Sequence, residues 1–336
     1  MIRRIAALAL AALAIAGLAA CGSKKEAIDP SGAESLRVML DFFPNADHAG
    51  IYAAQASGEF RRAALDVHLL TPPDPSQPLK LLAAGKIDLA VSYEPELLLA
   101  RDRGAQLVAV GAIAQKPLTS IISLDSAKIH RPADLRGKKV GTAGIPYQSA
   151  YLRTILSGAR VDPRTVREIN VGFNLVPAML SKRVDATLGG YWSYEGVQLA
   201  LKGKKPNIIH VEQAGVPSYQ ELVLVARRVS LAAQGGKVRR FVQALGRGYA
   251  SLRSNSRPAI DALVKANPEA DRRLQEASLR AVLPAFFPPA GRPFGYQDPR
   301  SWDAYGNWML RNRLVRRQPN AGHGALTNEF LAGQGA

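Results

Sequence analysis

One cysteine, Cys21, occurs in 336 residues, so neither a disulfide framework nor a cysteine-built zinc or iron–sulfur centre is available. The five histidines, His48, His68, His130, His210 and His323, lack the spacing of a metal site. No Gly-x-Ser-x-Gly elbow, Gly-x-Gly-x-x-Gly turn or P-loop lysine occurs either. Acidic residues are scarce: 44 Lys and Arg against 27 Asp and Glu leave a net charge of +17. The basic residues are scattered and not interleaved with aromatics, which argues against nucleic acid and leaves an anionic membrane surface or a generally basic composition. Apolar runs of membrane-spanning length, about 20 residues, are also missing. With 47% hydrophobic residues the chain is nevertheless globular, and its length suits about two domains.

What is present begins at the N-terminus. Arg3 and Arg4 precede a 14-residue apolar run, 5–18, and then Leu18-Ala19-Ala20-Cys21. This is the layout of a signal peptide over 1–20. Leu-Ala-Ala-Cys resembles the lipobox of bacterial lipoproteins, which implies a lipidated Cys21 as the new N-terminus; a plain signal peptide with a stray cysteine is the other reading. Residues 21–35, rich in Ser, Gly, Lys and Pro, read as a flexible tether.

From Leu36 onward short apolar strand patterns alternate with helical ones, the mark of an α/β fold. Strands are expected at 36–40, 66–70, 87–91, 106–113 and 119–124, then at 138–141, 167–171, 184–188, 207–211 and 221–226. A mostly helical stretch follows to about Arg317, and a loose tail after it. One internal echo stands out. Residues 81–89, a helix end, a basic corner and an apolar-Asp strand start, are matched by 178–186, and each strand then runs into an aromatic, acidic loop. This is either a chance likeness of two αβ corners or a duplicated unit whose strand ends face one cleft.

Three constellations can carry chemistry. Asp41, Phe42, Phe43, Asn45 and His48 stand where the first strand meets a helix, offering either core packing or a stacking face with polar contacts. The Gly141–Tyr151 turn leads into a helix N-terminus, whose free N–H groups suit an anion or carbonyl unless it is only a tight turn. In the loop Tyr191-Trp192-Ser193-Tyr194-Glu195, three aromatics surround a carboxylate that can accept from a ring amine.

Taken in order behind a lipobox, residues 41–55, 144–151 and 190–197 resemble the substrate-binding proteins of ABC importers, in the group of thiamine-pyrimidine-precursor and riboflavin binders that is similar to the yeast thiamine-pyrimidine synthase. The resemblance implies a type II periplasmic-binding-protein fold, two α/β lobes around a ligand cleft. Lobe 1 would be 36–125 plus 225–320, lobe 2 126–224, and 321–336 the loose tail, with hinges near residues 124–126 and 225–226. It also implies a monomeric receptor that is lipid-anchored to the cell membrane, faces outward, and hands a small aromatic solute to an ABC permease and its ATPase without cofactor or metal. The expected solute is a hydroxymethyl- or formylaminomethyl-pyrimidine, with riboflavin or an alkylsulfonate as rivals and a pyrimidine synthase as the enzymatic alternative. The yeast synthase carries a cysteine-rich motif, which this chain lacks. Carried over residue by residue, Asn45 and His48 would make polar contacts, Tyr93, Tyr147 and Tyr151 walls, Trp192 a stacking face, and Glu195 the contact to an amino group, with Asp41 and Phe43 also in the site. Phe42 stands where the family usually has Trp.

Overall fold

The computed structural model describes residues 32–318 and 324–334. The expected signal peptide, Cys21 and most of the tether lie outside the described residues. Among the described residues, no helix is long and apolar enough to cross a membrane.

Ten strands are described: β1 (Glu34–Met39), β2 (Leu65–Leu70), β3 (Leu89–Ser92), β4 (Leu107–Ala114), β5 (Thr119–Leu124), β6 (Lys139–Thr142), β7 (Arg167–Asn170), β8 (Ala186–Tyr191), β9 (Pro206–His210) and β10 (Leu222–Arg227). The helices are α1 (Ala49–Ala56), α2 (Glu59–Arg62), α3 (Pro78–Ala83), α4 (Glu94–Asp102), α5 (Pro146–Gly158), α6 (Leu175–Leu180), α7 (Glu195–Leu201), α8 (Arg228–Ser251), α9 (Arg257–Ala266), α10 (Arg272–Val282) and α11 (Pro299–Arg311). β3 and β4 are buried along their whole length, which is why their sequences are apolar throughout rather than alternating.

The strands form two sheets of the same plan. The first has the order β2-β1-β3-β10-β4 and the second β7-β6-β8-β5-β9. In each, the first three strands are mutually parallel and the fourth is antiparallel to both neighbours. The echo at 81–89 and 178–186 falls on equivalent corners. Asp88 Oδ2 accepts the Arg37 N–H at 2.8 Å within β1, and Asp185 Oδ2 accepts the Lys139 N–H at 2.7 Å at the start of β6. Both aspartates fasten a strand to its parallel neighbour, so the repeated apolar-Asp step has one structural task in each lobe.

The fourth strand of each sheet is the crossover. The chain leaves the first sheet after Ala114 and enters the second at Thr119, then returns to the first at Leu222. β5 therefore belongs to the second sheet and not to lobe 1, and the crossovers lie at 115–118 and 215–221 rather than at 124–126 and 225–226. The sequence reading placed the boundary at the next polar break, because an apolar strand gives no sign of which sheet it joins. Glu221, fully buried, bolts the crossovers together: it accepts the N–H groups of Leu118 and Thr119 at 2.7 and 2.8 Å and the hydroxyls of Thr119 and Tyr219, both at 2.9 Å.

Both ends of the fold differ from expectation. Glu34 and Ser35 are already in β1 rather than in the tether. Residues 324–334 are not loose: Leu326 bridges Ala109, the Thr327 N–H donates to the Ala109 carbonyl at 2.9 Å, and Ala325, Phe330 and Leu331 are buried. This segment covers the free edge of β4, which would otherwise expose unpaired backbone groups. In lobe 1, α1 and α8 cross so closely that a Cβ on Gly248 would lie 2.3 Å from the Gly50 carbonyl oxygen. The crossing sets the Tyr249 hydroxyl against the Asp47 carbonyl at 2.8 Å and fixes the turn that enters the cleft.

Candidate ligand-binding site

Between the lobes lies a small pocket. Lobe 1 contributes Asp41, Phe42, Asn45, Asp47 and Tyr93; lobe 2 contributes Ala143, Ile145, Tyr147, Gln148, Leu175, Gly189, Tyr191, Tyr194 and Glu195. The cleft is closed. Phe42 and Phe43 meet Phe173 across its mouth at ring distances of 4.6 and 5.9 Å, Tyr93 meets Tyr147 at 5.3 Å, and Gln275 Nε2 donates to the Tyr194 hydroxyl at 3.1 Å.

The lobe 1 wall is the turn at residues 45–48. The Asn45 side chain accepts the Asp47 N–H at 2.8 Å, an N-cap bond that explains why an asparagine stands here. His48 Nδ1 accepts the Asn45 N–H at 3.2 Å, so Nε2 carries the proton and donates it to Asp41 Oδ1 at 2.8 Å. The Tyr93 hydroxyl donates to the other Asp41 oxygen at 2.7 Å. His48 is therefore a brace behind Asp41 and does not line the pocket, contrary to the sequence reading, because both ring nitrogens are already engaged.

The lobe 2 wall comes from the ends of β6 and β8. Gly189 and Tyr191, two residues apart, face the cleft, so Trp192 turns the other way. Its Nε1 donates to the Pro117 carbonyl at 3.3 Å and its ring lies 5.8 Å from that of His210, so Trp192 braces the first crossover instead of stacking in the site. Gly189 has a φ of +109°, and a Cβ there would lie 2.1 Å from Gln148 Nε2. Glu195 Oε2 accepts the Tyr191 N–H at 2.7 Å, and burial pushes its carboxyl up to about 7. The Tyr191 hydroxyl is buried without a hydrogen-bond partner.

Three further expectations are corrected. Tyr151 lies one helical turn beyond Tyr147, and its hydroxyl is bonded to that of Tyr305 in an aromatic cluster with Tyr219 and Trp308, outside the pocket. Phe43 packs on Phe42 and Tyr194 at the mouth, while Phe42 is the ring that lines the pocket. The turn before α5 is not an anion site: Gln148 Oε1 accepts the Ala143 N–H at 2.8 Å, Glu96 accepts the Tyr147 N–H at 3.3 Å, and Pro146 has no N–H. Of the nine expected site residues, Asp41, Asn45, Tyr93, Tyr147 and Glu195 come together in the pocket. Asp47, Gln148, Tyr191 and Tyr194 also line the pocket and were not among the expected site residues, Asp47 because Asp beside a helix start reads as a cap.

A Trp192→Ala change is accordingly expected to leave ligand affinity within about threefold of the unaltered chain, since the indole is outside the pocket. Isothermal titration checks this, and a tenfold loss would return Trp192 to the site.

Among the described residues no group of three His, Cys, Asp or Glu is placed to hold a metal ion. Solved structures of similar fold include the alkanesulfonate-binding protein SsuA from Xanthomonas axonopodis pv. citri bound to MOPS, with a TM-score of 0.67 at 19% identity over 88% of this chain and 98% of that one. That likeness identifies the two-lobed periplasmic-binding-protein fold. A formylaminopyrimidine-binding protein of Halalkalibacterium halodurans is 35% identical over 84% of this chain and 87% of its own length. A putative thiamine biosynthesis protein of Haemophilus influenzae is 36% identical over 75% and 80%. A family model described as NMT1/THI5 like matches residues 45–259, a stretch that opens at the capping Asn45 and takes in both walls of the cleft and both crossovers. On the model match and the relatives together, the chain belongs to the NMT1/THI5-like family.

Proposed function

We propose that this chain is the solute receptor of an ABC importer and captures a thiamine pyrimidine precursor, a hydroxymethyl- or formylaminomethyl-pyrimidine, between its lobes. The observation that carries the reading is a closed, aromatic-walled pocket whose polar lining includes the carboxyls of Asp41, Asp47 and Glu195 and the unpaired Tyr191 hydroxyl, with no lysine or arginine among its lining residues. A flat heterocycle with an exocyclic amine fits such a pocket: Tyr93, Tyr147, Tyr191 and Phe42 enclose the ring, Glu195 accepts from the amine, and the unpaired Tyr191 hydroxyl gains a partner. The name of the Halalkalibacterium halodurans relative supports the same ligand class. A sulfonate, bound by the structural neighbour, would bring a further negative charge against three carboxyls, and the small closed pocket favours a single ring over riboflavin's three fused rings and ribityl chain.

The protein works outside the cytoplasm, held to the membrane through a lipid on Cys21, as a monomer that presents its closed form to the permease and its ATPase. Closure reports ligand because the ligand touches both lobes and so binds the closed state more tightly than the open one. No bond is made or broken. In a thermal-shift panel on the purified, ligand-stripped protein, one pyrimidine at 100 times its dissociation constant is expected to add about 2.7 kcal/mol, a rise of several degrees. Riboflavin and alkylsulfonates are expected to give none; a shift with either of them alone would replace the ligand, and silence across the panel would remove the receptor reading.

A further inference from the structure

Three carboxyls line the cleft, Asp41, Asp47 and Glu195, and no cationic side chain does. They are not equivalent. Asp41 is held by His48 and Tyr93, and Glu195 by the Tyr191 N–H. Asp47 is 2% exposed, and among the described residues its carboxyl has no hydrogen bond or ion pair. Its backbone is fixed on both sides, since Asn45 holds its N–H and Tyr249 its carbonyl.

No element packed against Asp47 supplies a counter-charge. Its own turn gives His48, already turned toward Asp41; α7 gives Glu195; the second crossover gives Glu221. On α10, Asp271 is the N-cap, Arg272 is paired with Asp261 and Glu276, and Arg273 is exposed. Tyr249 from α8 meets only the backbone. Burial first, then Asp41, Glu195 and Glu221, push the Asp47 carboxyl well above the usual carboxylate range.

We infer that ligand capture takes up one proton, which the Asp47 carboxyl holds against an acceptor atom of the ligand while Glu195 accepts from the ligand's amine. With the cleft open, water solvates Asp47 and the group is ionised. Closure removes that water and brings Glu195 in from the opposite lobe, and two ionised carboxyls in one dry pocket repel. Glu195, supported by the Tyr191 N–H and raised only to about 7, is ionised above that pH, so there Asp47, which no N–H supports, takes the proton and becomes a donor. The inference rests on the receptor reading and sharpens it: the edge selected is a donor beside an acceptor, as in an exocyclic amine next to a ring nitrogen. Phosphorylated or sulfonated relatives of the same ring are refused.

The test is isothermal titration of the purified protein with formylaminomethyl-pyrimidine from pH 6 to 9, in phosphate and in Tris, whose protonation heats differ. Uptake of about one proton should appear as a difference in apparent heat between the two buffers, and wherever the proton is taken up affinity should fall by up to tenfold per pH unit. An Asp47→Asn variant, whose amide donates without a proton, should bind with equal heats in both buffers and flat affinity from pH 7 to 9. Equal heats and flat affinity in the unaltered chain, or an undiminished buffer difference in the variant, would overturn the inference while leaving the receptor reading in place. Absence of binding by the unaltered chain at every pH would overturn both. The buffer comparison on the unaltered chain needs no variant to fold.

Discussion

A Glu195→Ala variant is expected to bind formylaminomethyl-pyrimidine about 30- to 150-fold more weakly than the unaltered chain, the equivalent of the 2–3 kcal/mol that a buried hydrogen bond to a charged group contributes. The carboxylate is the acceptor in the pocket that a ligand amine can reach with its charge intact, since Asp41 is already engaged by His48 and Tyr93. Truncation also leaves the amine buried without a partner, which costs more than the bond alone contributes. Glu195→Gln separates charge from shape. Its carbonyl is drawn to the Tyr191 N–H now held by Glu195 Oε2, which turns the amide NH2 toward the ligand amine, donor against donor. Both variants should therefore fail, and both should unfold at nearly the temperature of the parent. Parental affinity in both would place the ligand elsewhere.

How far the sequence could lead to this residue depends on what kind of information each step needs. Apolar patterning reports element type, and β3 and β4 stand out because burial along their whole length forces a continuous apolar run. The echo at 81–89 and 178–186 reports a duplicated plan because the same Asp-to-backbone bond is required in both lobes. Sidedness is harder. Tyr191 and Trp192 are adjacent and both aromatic, and only strand parity sends one into the cleft and the other onto the crossover. Tyr147 and Tyr151 share a helix face, but one lies at the cleft and the other a turn away, against Tyr305. The aromatic, acidic loop expected after β3 ends at once in α4, whose Glu94-Pro95-Glu96, with proline in the first turn and acid beside it, is the signature of a helix start. Glu221 offered no signal at all, since its four donors come from residues brought together only by the two crossovers.

Glu94, which opens α4, leads to an effect of similar size on stability. It is 1% exposed; Oε2 accepts the Gln220 N–H at 2.7 Å and Oε1 has no partner. Burial pushes its carboxyl up to about 8, an effect that the Gln220 bond opposes and Glu221 reinforces. Because the folded value lies above the ordinary 4.5, the folded chain holds a proton that the unfolded chain releases. That contribution is complete below about pH 4.5 and is lost as pH rises through 8. Between pH 6 and pH 9 this one group is expected to cost the ligand-free protein about 3 kcal/mol, a fall in Tm of about 5 °C for a chain of this length. Glu96, Glu195 and Glu221, each raised to about 7, tilt the profile in the same direction, so stability should decline from mildly acidic to alkaline pH. Glu94→Gln isolates its share: the amide oxygen can keep the Gln220 bond, the volume is unchanged, and nothing remains to ionise. The variant should match the parent near pH 5 and exceed it by several degrees at pH 9 in thermal unfolding followed by circular dichroism. A variant whose Tm falls with pH as steeply as the parent's would mean that Glu94 is hydrated in solution and that the second crossover, where it meets Gln220, is looser than a closed cleft requires.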